Sequence, residues 1–164
     1  MELLLVRHGT AEEKSTKKPD RERRLTPAGI LQLEQDMPYL ADYLKGKKKV
    51  NLWSSGMDRA IETALIIKEL GEIPDIEYFD FIETGDFYEL EQSIKKMDTD
   101  STIIIVGHEP HLSQWSYLLS RKYLDLKKGS VVVFEIYQTE KLAGEILWSA
   151  KPGKYKDILI DSKK

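Results

Sequence analysis

The sequence predicts an α/β fold: a three-layer α/β/α arrangement with a mostly parallel central sheet and a C-terminal antiparallel strand pair. Three observations carry this. Short, wholly apolar runs such as Leu3–Val6 and Ile103–Val106 suit strands buried on both faces of a parallel sheet, where alternation is lost. Such runs alternate with longer helical patterns, as βα units require. The tail breaks that rhythm: "SVVVFEIYQ" and "GEILWSAK" are separated only by a polar loop and read as an antiparallel pair.

Taken in order, Leu3–Val6 is the first strand. Arg7 to Arg24 is polar, contains a proline, and reads as a loop. "LTPAGILQLEQDMPYLADYL" then opens a helix, with Thr26 as its cap and Pro27 at the first helical position. Ile30, Leu33, Met37, Leu40 and Leu44 recur at helical spacing and mark its buried face. Pro38 lies inside that pattern and predicts a kink or a break. "VNLWSS" is the second strand. "MDRAIETALIIKELG" is the second helix, packed through Ala60, Ala64 and Ile67 and stopped at Gly71. "IEYFDFI" reads as a third strand, "DFYELEQSIKKM" as a helix and "STIIIVG" as a fourth strand. Pro110 opens a helix carrying Leu112, Trp115 and Leu119. No repeat, low-complexity segment or linker interrupts the series, so residues 1–164 read as one domain.

Composition narrows the chemistry. A chain of 164 residues can bury one sizeable core. The 25 basic and 28 acidic residues leave a net charge of -3, with no basic excess for nucleic acid. The lysine clusters Lys14–Lys18 and Lys45–Lys49 read as solvated surface. There is no cysteine, which excludes disulfides, thiol nucleophiles and cysteine-rich metal sites. Leu3–Val6 is too short for a signal segment and no apolar run approaches transmembrane length. The expectation is a soluble cytoplasmic protein without a membrane partner.

Three strand ends match. The first ends in Arg7-His8-Gly9 and the second in Ser54-Ser55-Gly56, with Arg59 on the next helical turn. The fourth ends in Gly107-His108-Glu109, just before Pro110. In open α/β sheets, ligands bind outside the carboxyl ends of the strands. Each of these residues alone reads as an ordinary solvated strand-end, helix-surface or loop residue. Together they bring two arginines and two of the chain's three histidines to one sheet edge. Glycines allow close backbone approach, helix N-termini offer N–H groups to an anion, and guanidiniums suit phosphate oxygens. The implied ligand is a phosphoryl group.

"LLLVRHGTAE" resembles the Arg-His-Gly signature of the histidine phosphatase superfamily, which also contains cofactor-dependent phosphoglycerate mutases. "SSGMDRAIETA" is similar to its Ser-Pro-x-x-Arg-Ala-x-x-Thr-Ala motif, with Gly56 in the proline's place. "IIIVGHEP" is similar to its second-histidine motif. "DRERRLTPAG" resembles the Asp-x-x-Arg-x-Leu-Thr-x-x-Gly stretch of small SixA-type phosphohistidine phosphatases. The resemblance spans nearly the whole chain and implies a phosphoglycerate mutase-like fold without a large cap insertion.

It also implies a metal-independent phosphatase that needs no cofactor. His8 is the implied nucleophile, passing through a phosphohistidine. Arg7, Arg59 and His108 would hold the phosphoryl oxygens with His8. Glu83, in "FIETGDFYE", is the implied general acid. The substrate reading is protein phosphohistidine, for example on a histidine-phosphotransfer domain. The alternatives are a small phosphorylated metabolite (sugar or nucleotide) with a phosphomonoesterase or mutase-like enzyme, and a non-catalytic phosphate-binding module. His108 and His111 are spaced as a helical pair could be for a metal, but no third ligand follows, and His111 reads as a rim residue.

Overall fold

A computed structural model describes residues 1–138 and 140–158. Six strands form one sheet in the order β3-β2-β4-β1-β5-β6. They are β1 (Glu2–Arg7), β2 (Val50–Ser54), β3 (Ile76–Tyr78), β4 (Thr102–Gly107), β5 (Val131–Gln138) and β6 (Leu142–Ala150). β4 runs parallel to both β1 and β2, and β3 runs parallel to β2. β5 is antiparallel to both β1 and β6. The architecture agrees with the expected α/β/α fold and its antiparallel tail.

Helices α1 (Pro27–Leu44), α2 (Asp58–Gly71), α3 (Asp80–Thr84), α4 (Phe87–Lys95) and α5 (His111–Ser120) cover both faces. Alternate residues of each central strand serve opposite cores. Leu4 and Val6 face Leu33, Met37 and Leu40 of α1 and Ala60, Ala64 and Ile67 of α2. Leu3 and Leu5 face Ile82 of α3, Leu90 and Ile94 of α4, and Leu112 and Trp115 of α5. This two-sided burial is why the first and fourth strands are uniformly apolar.

Three local expectations are corrected. α1 runs without a break through Pro38, which removes the break from the expected kink or break. Pro38 and Glu34 both lie on the exposed side, where water can take up the carbonyl that proline leaves without a partner. The third strand stops at Tyr78 instead of Ile82, because Asp80–Thr84 turn into a short helix that buries Phe81 and Ile82. Gly85, at φ 76°, ends that helix, the left-handed role that glycine fills without strain. Gly71 is the last helical residue of α2, and the left-handed cap falls on Glu72.

The lysine clusters are largely paired surface. Lys45 meets Asp42, Lys47 meets Glu2, Lys49 meets Asp98 and Asp100, and Lys18 meets Glu12. No described helix is long and apolar enough to cross a membrane.

Candidate active site

Register brings the motif residues level. Arg7 lies opposite Gly107 across the β1–β4 ladder, and Ser54 lies opposite Val106 across β2–β4. The ladder continues one residue further, through His8 N–H to the Gly107 carbonyl at 3.2 Å and Ser55 N–H to the Val106 carbonyl at 3.1 Å. The three carboxyl ends therefore share one edge, as the open-sheet rule expects. A hollow of about 330 Å³ lies there, lined by Arg7, His8, Arg59, Glu83 and His108 among others. All five candidate residues meet at it. A larger hollow of about 530 Å³, beside Tyr43 and Trp148, holds none of them.

Each side chain is fixed by its element. The His8 Nδ1 lies 2.7 Å from the Gly9 carbonyl. A carbonyl only accepts, so Nδ1 carries the hydrogen and Nε2 keeps its lone pair. Gly9 N–H donates to Thr63 Oγ1, and the Thr63 hydroxyl donates to the Arg59 carbonyl, which ties the turn after β1 to α2. On the other side Gly129 N–H donates to the carbonyls of Arg7 and His8. His108 Nε2 lies 2.6 Å from Ser55 Oγ. Arg7 Nη1 donates to the Leu126 carbonyl, and Arg59 Nη1 donates to the Asp20 carbonyl at 2.9 Å.

The central side chains are largely buried, and cationic groups outnumber anionic ones around the hollow. His8 and His108 are 6% exposed and Arg59 is 5% exposed. Arg7 Nε, Arg59 Nε and His108 Nδ1 are buried without a hydrogen-bond partner. Buried polar atoms are normally paired, and these three belong to residues that line one hollow, a donor-rich lining that suits an anion. Burial, and then the charges of His108, Arg59 and Arg7, push the His8 imidazole down to about 3. Burial and the Arg59 charge push His108 down to about 4. Both rings are thus neutral near pH 7, and His8 has a free lone pair beside two guanidiniums.

Glu83 arrives on α3 rather than at a strand end. Arg21 Nη1 lies 2.7 Å from both of its carboxylate oxygens, and Gly56 N–H donates to Oε1 at 3.1 Å. Gly56 stands where the resembled motif has proline, which has no N–H to donate.

Several lining residues were not singled out as site residues from the sequence, although Asp20 and Arg23 are the Asp and Arg of the "DRERRLTPAG" block. Asp20 and Arg23 sit on a 3₁₀ turn (Asp20–Glu22) and its edge, where Arg23 Nε donates to Asp20 and Arg59 Nη2 meets the Asp20 carboxylate at 3.3 Å. Their i, i+3 spacing inside "DRERRLT" is the signal that could have found them, since it puts both on one side of a turn. Lys14 and Lys128 also line the hollow, as does His111. The rim position of His111 agrees with its expectation. Among the described residues no group of histidine and carboxylate side chains is arranged to hold a metal ion.

Comparison with known proteins gives the family and the fold. Residues 3–111 match the model of the Histidine phosphatase superfamily (branch 1). No curated protein shows significant sequence similarity to the chain. Its backbone is similar to the protein histidine phosphatase SixA complexed with tungstate, at TM-score 0.70 and 16% identity, covering 93% of this chain and 97% of that one. It is similar to the SixA protein from Agrobacterium tumefaciens at TM-score 0.72 and 18% identity, covering 92% and 97%. It also matches the mycobacterial glucosyl-3-phosphoglycerate phosphatase at TM-score 0.71 and 12% identity, covering 92% and 99%. At these identities the likeness is one of fold.

Proposed function

The chain belongs to the histidine phosphatase superfamily, and from that premise we propose a metal-independent phosphatase that acts on protein phosphohistidine through a phosphohistidine intermediate on His8. The observation that carries the reading is the meeting of Arg7, Arg59 and His108 at one hollow around an imidazole whose Nδ1 is tied to Gly9. Nε2 is then the attacking atom. It forms a bond to phosphorus as the substrate's bond breaks, and that bond's electron pair leaves with the substrate nitrogen. Arg7, Arg59 and His108 stabilise charge on the transferring oxygens, where most of the catalysis in phosphoryl transfer resides. Water then attacks the phosphorus of the phosphoenzyme and returns the electron pair to His8 Nε2. Glu83 protonates the leaving group and then takes the proton of the attacking water.

The protein-substrate reading rests on size and access. A hollow of about 330 Å³ is at the small end for enclosing a metabolite, yet a phosphorylated side chain projecting from a partner needs no more. Residues 72–101, where a cap could be inserted, are spent on β3, α3 and α4. Lys14 and Lys128 at the rim would attract an acidic partner. The fold match to a glucosyl-3-phosphoglycerate phosphatase supports the competing reading, a small-molecule phosphomonoesterase.

The test is kcat/KM on a phosphorylated histidine-phosphotransfer domain against sugar phosphates, nucleotides and phosphopeptides, with His8→Ala as the control. A clear preference for the phosphorylated domain is expected. A hundredfold preference for a sugar phosphate or nucleotide would replace this reading with the competing one.

A further inference from the structure

One ring at the mouth of the hollow is fixed in place from beneath. His111 lines the hollow and stands one turn after His108, whose carbonyl accepts from Leu112 N–H at 3.1 Å. Residues three apart share a side of such a turn. A Cβ built on Gly85 would lie 2.2 Å from His111 Nδ1, and 2.6 and 2.7 Å from its Cγ and Cε1. A point beyond the ring's edge would stand much farther from those two neighbours than from Nδ1. The imidazole therefore turns a face, not an edge, towards Gly85. Gly85 is itself anchored: its N–H donates to the Phe81 carbonyl at 2.9 Å, and its carbonyl accepts from Trp115 Nε1 at 3.2 Å. Trp115 is buried and lies one turn beyond His111 on α5, so one side of α5 carries both the ring and the anchor of its seat. Among the described residues the His111 ring makes no hydrogen bond and no contact with another ring.

We propose that His111, seated on Gly85, is a specificity-determining shelf on which a planar leaving group stacks, and that the group it takes is the imidazole of phosphohistidine. The proposal rests on the histidine-nucleophile reading and deepens its substrate class.

The place of the shelf follows from the direction of attack. Attacking and leaving atoms stand roughly in line across phosphorus, so the leaving group emerges opposite His8 while the phosphoryl oxygens turn to Arg7, Arg59 and His108. Glu83, the carboxylate assigned to the leaving group, lies two residues before Gly85 and lines the same hollow. His111 is thereby on the leaving-group side. An imidazole bonded directly to phosphorus presents a flat face at the mouth of the site, and the face of His111 turned away from Gly85 offers it a partner. Offset or tilted ring pairs add to binding beyond the area they bury. An amine or an alkyl group has no such face to offer. Stacking on a ring already held by its seat also costs little side-chain freedom. Any side chain at position 85 would take the ring's place, which gives Gly85 a part in recognition besides ending α3.

The experiment measures kcat/KM for phosphoimidazole and for phosphoramidate, two substrates that break a P–N bond with and without a ring. Their ratio is the deciding quantity. His111→Ala should lower it at least about threefold, and His111→Phe should hold it within about twofold of wild type, since a phenyl ring keeps the flat face. Asparagine tolerates the left-handed backbone of Gly85, and its Cβ would evict the His111 ring. Gly85→Asn should therefore lower the same ratio, and it serves if His111→Ala folds poorly. A smaller fall in the variant that folds, or a fall that His111→Phe shares, overturns the shelf. Phenyl phosphate distinguishes the two kinds of ring. Its ring stands one bond further from phosphorus, so His111→Ala should affect it less than phosphoimidazole. A larger effect would overturn the assignment to imidazole and give the shelf to an aryl ester. A His8→Ala control separates the two layers. Turnover that survives it overturns the nucleophile reading, whereas a dead His8→Ala with an unchanged ratio in His111→Ala overturns only the shelf.

Discussion

The imidazoles of His8 and His108 stand 5.1 Å apart between ring centroids, tilted by 52°, and each is held below its ordinary protonation range by burial first. Two rings this close cannot both take a proton cheaply, since each charge would repel the other and face Arg59.

That relationship sets a pH dependence of stability. Both folded-state values, about 3 for His8 and about 4 for His108, lie below the ordinary histidine value near 6.5. The unfolded chain therefore binds protons that the folded chain excludes. Stability from this source is fully present above pH ~6.5 and is lost as pH falls from there towards about 3. Each unit of depression is worth ~1.4 kcal/mol. Urea midpoints measured between pH 7 and pH 4 should fall, and His8→Gln with His108→Gln should flatten that fall. An identical pH slope in the double variant would show that other groups control acid stability.

Arg59 and Asp20 give a prediction for oxyanions. Arg59 already donates to the Asp20 carbonyl and meets its carboxylate, so an incoming anion competes with Asp20 for that guanidinium. Tungstate or vanadate should inhibit competitively, and at one hundred times its Kd it should stabilise the fold by ~2.7 kcal/mol. Asp20→Ala should tighten tungstate several-fold by removing the competing charge. EDTA should leave turnover intact. Weaker tungstate binding in Asp20→Ala would mean that Asp20 shapes the site rather than competing for it.

Gly29 couples the fold to the site. A Cβ at this position would lie 2.2 Å from the Thr10 carbonyl oxygen, and that carbonyl also accepts from Thr26 N–H. The contact is backbone, so it cannot be relieved by a side-chain rotation. Gly29→Ala should cost ~1–3 kcal/mol, the usual range for overpacking, and should lower activity by moving the segment that follows His8. Thermal melts and kcat measured together check it. Wild-type values for both would show that the turn yields freely.

Legibility of the site followed the physics of each residue. Arg7, His8 and His108 could be placed because an apolar run fixes a strand, and a strand's end fixes where the next residue goes. Arg59 could be placed because it lies one turn into a helix of clear periodicity. Glu83 was found by its neighbours in sequence, but its position on α3 was hidden because "IEYFDFI" satisfies a strand pattern as well as a strand followed by a helical turn. Asp20, Arg21 and Arg23 were read as loop because the path from Arg7 to Arg24 is set by long-range contacts, such as Arg59 with Asp20, that no local periodicity encodes. Pro38 misled for a related reason. Its cost depends on whether the abandoned carbonyl faces water, which only the packed helix decides.

The phosphoenzyme gives the most direct test of the site's chemistry. Because Nδ1 of His8 is engaged with the Gly9 carbonyl, the phosphate should be carried on Nε2 and on no other atom. Rapid quenching into base during turnover should trap a phosphorylated protein that loses its label in acid, as P–N bonds do, and survives alkali, unlike an acyl phosphate. Fragment mass analysis should place it on the peptide containing His8. His8→Ala should give no label and a turnover at least ~10³-fold lower, the scale seen when a covalent nucleophile is removed. His108→Gln should still label, more slowly, if His108 holds the transferring group without bonding to it as proposed. A label on His108 in wild type, or an unlabelled enzyme that turns over at full rate, would reassign the nucleophile or replace covalent catalysis with direct attack by water.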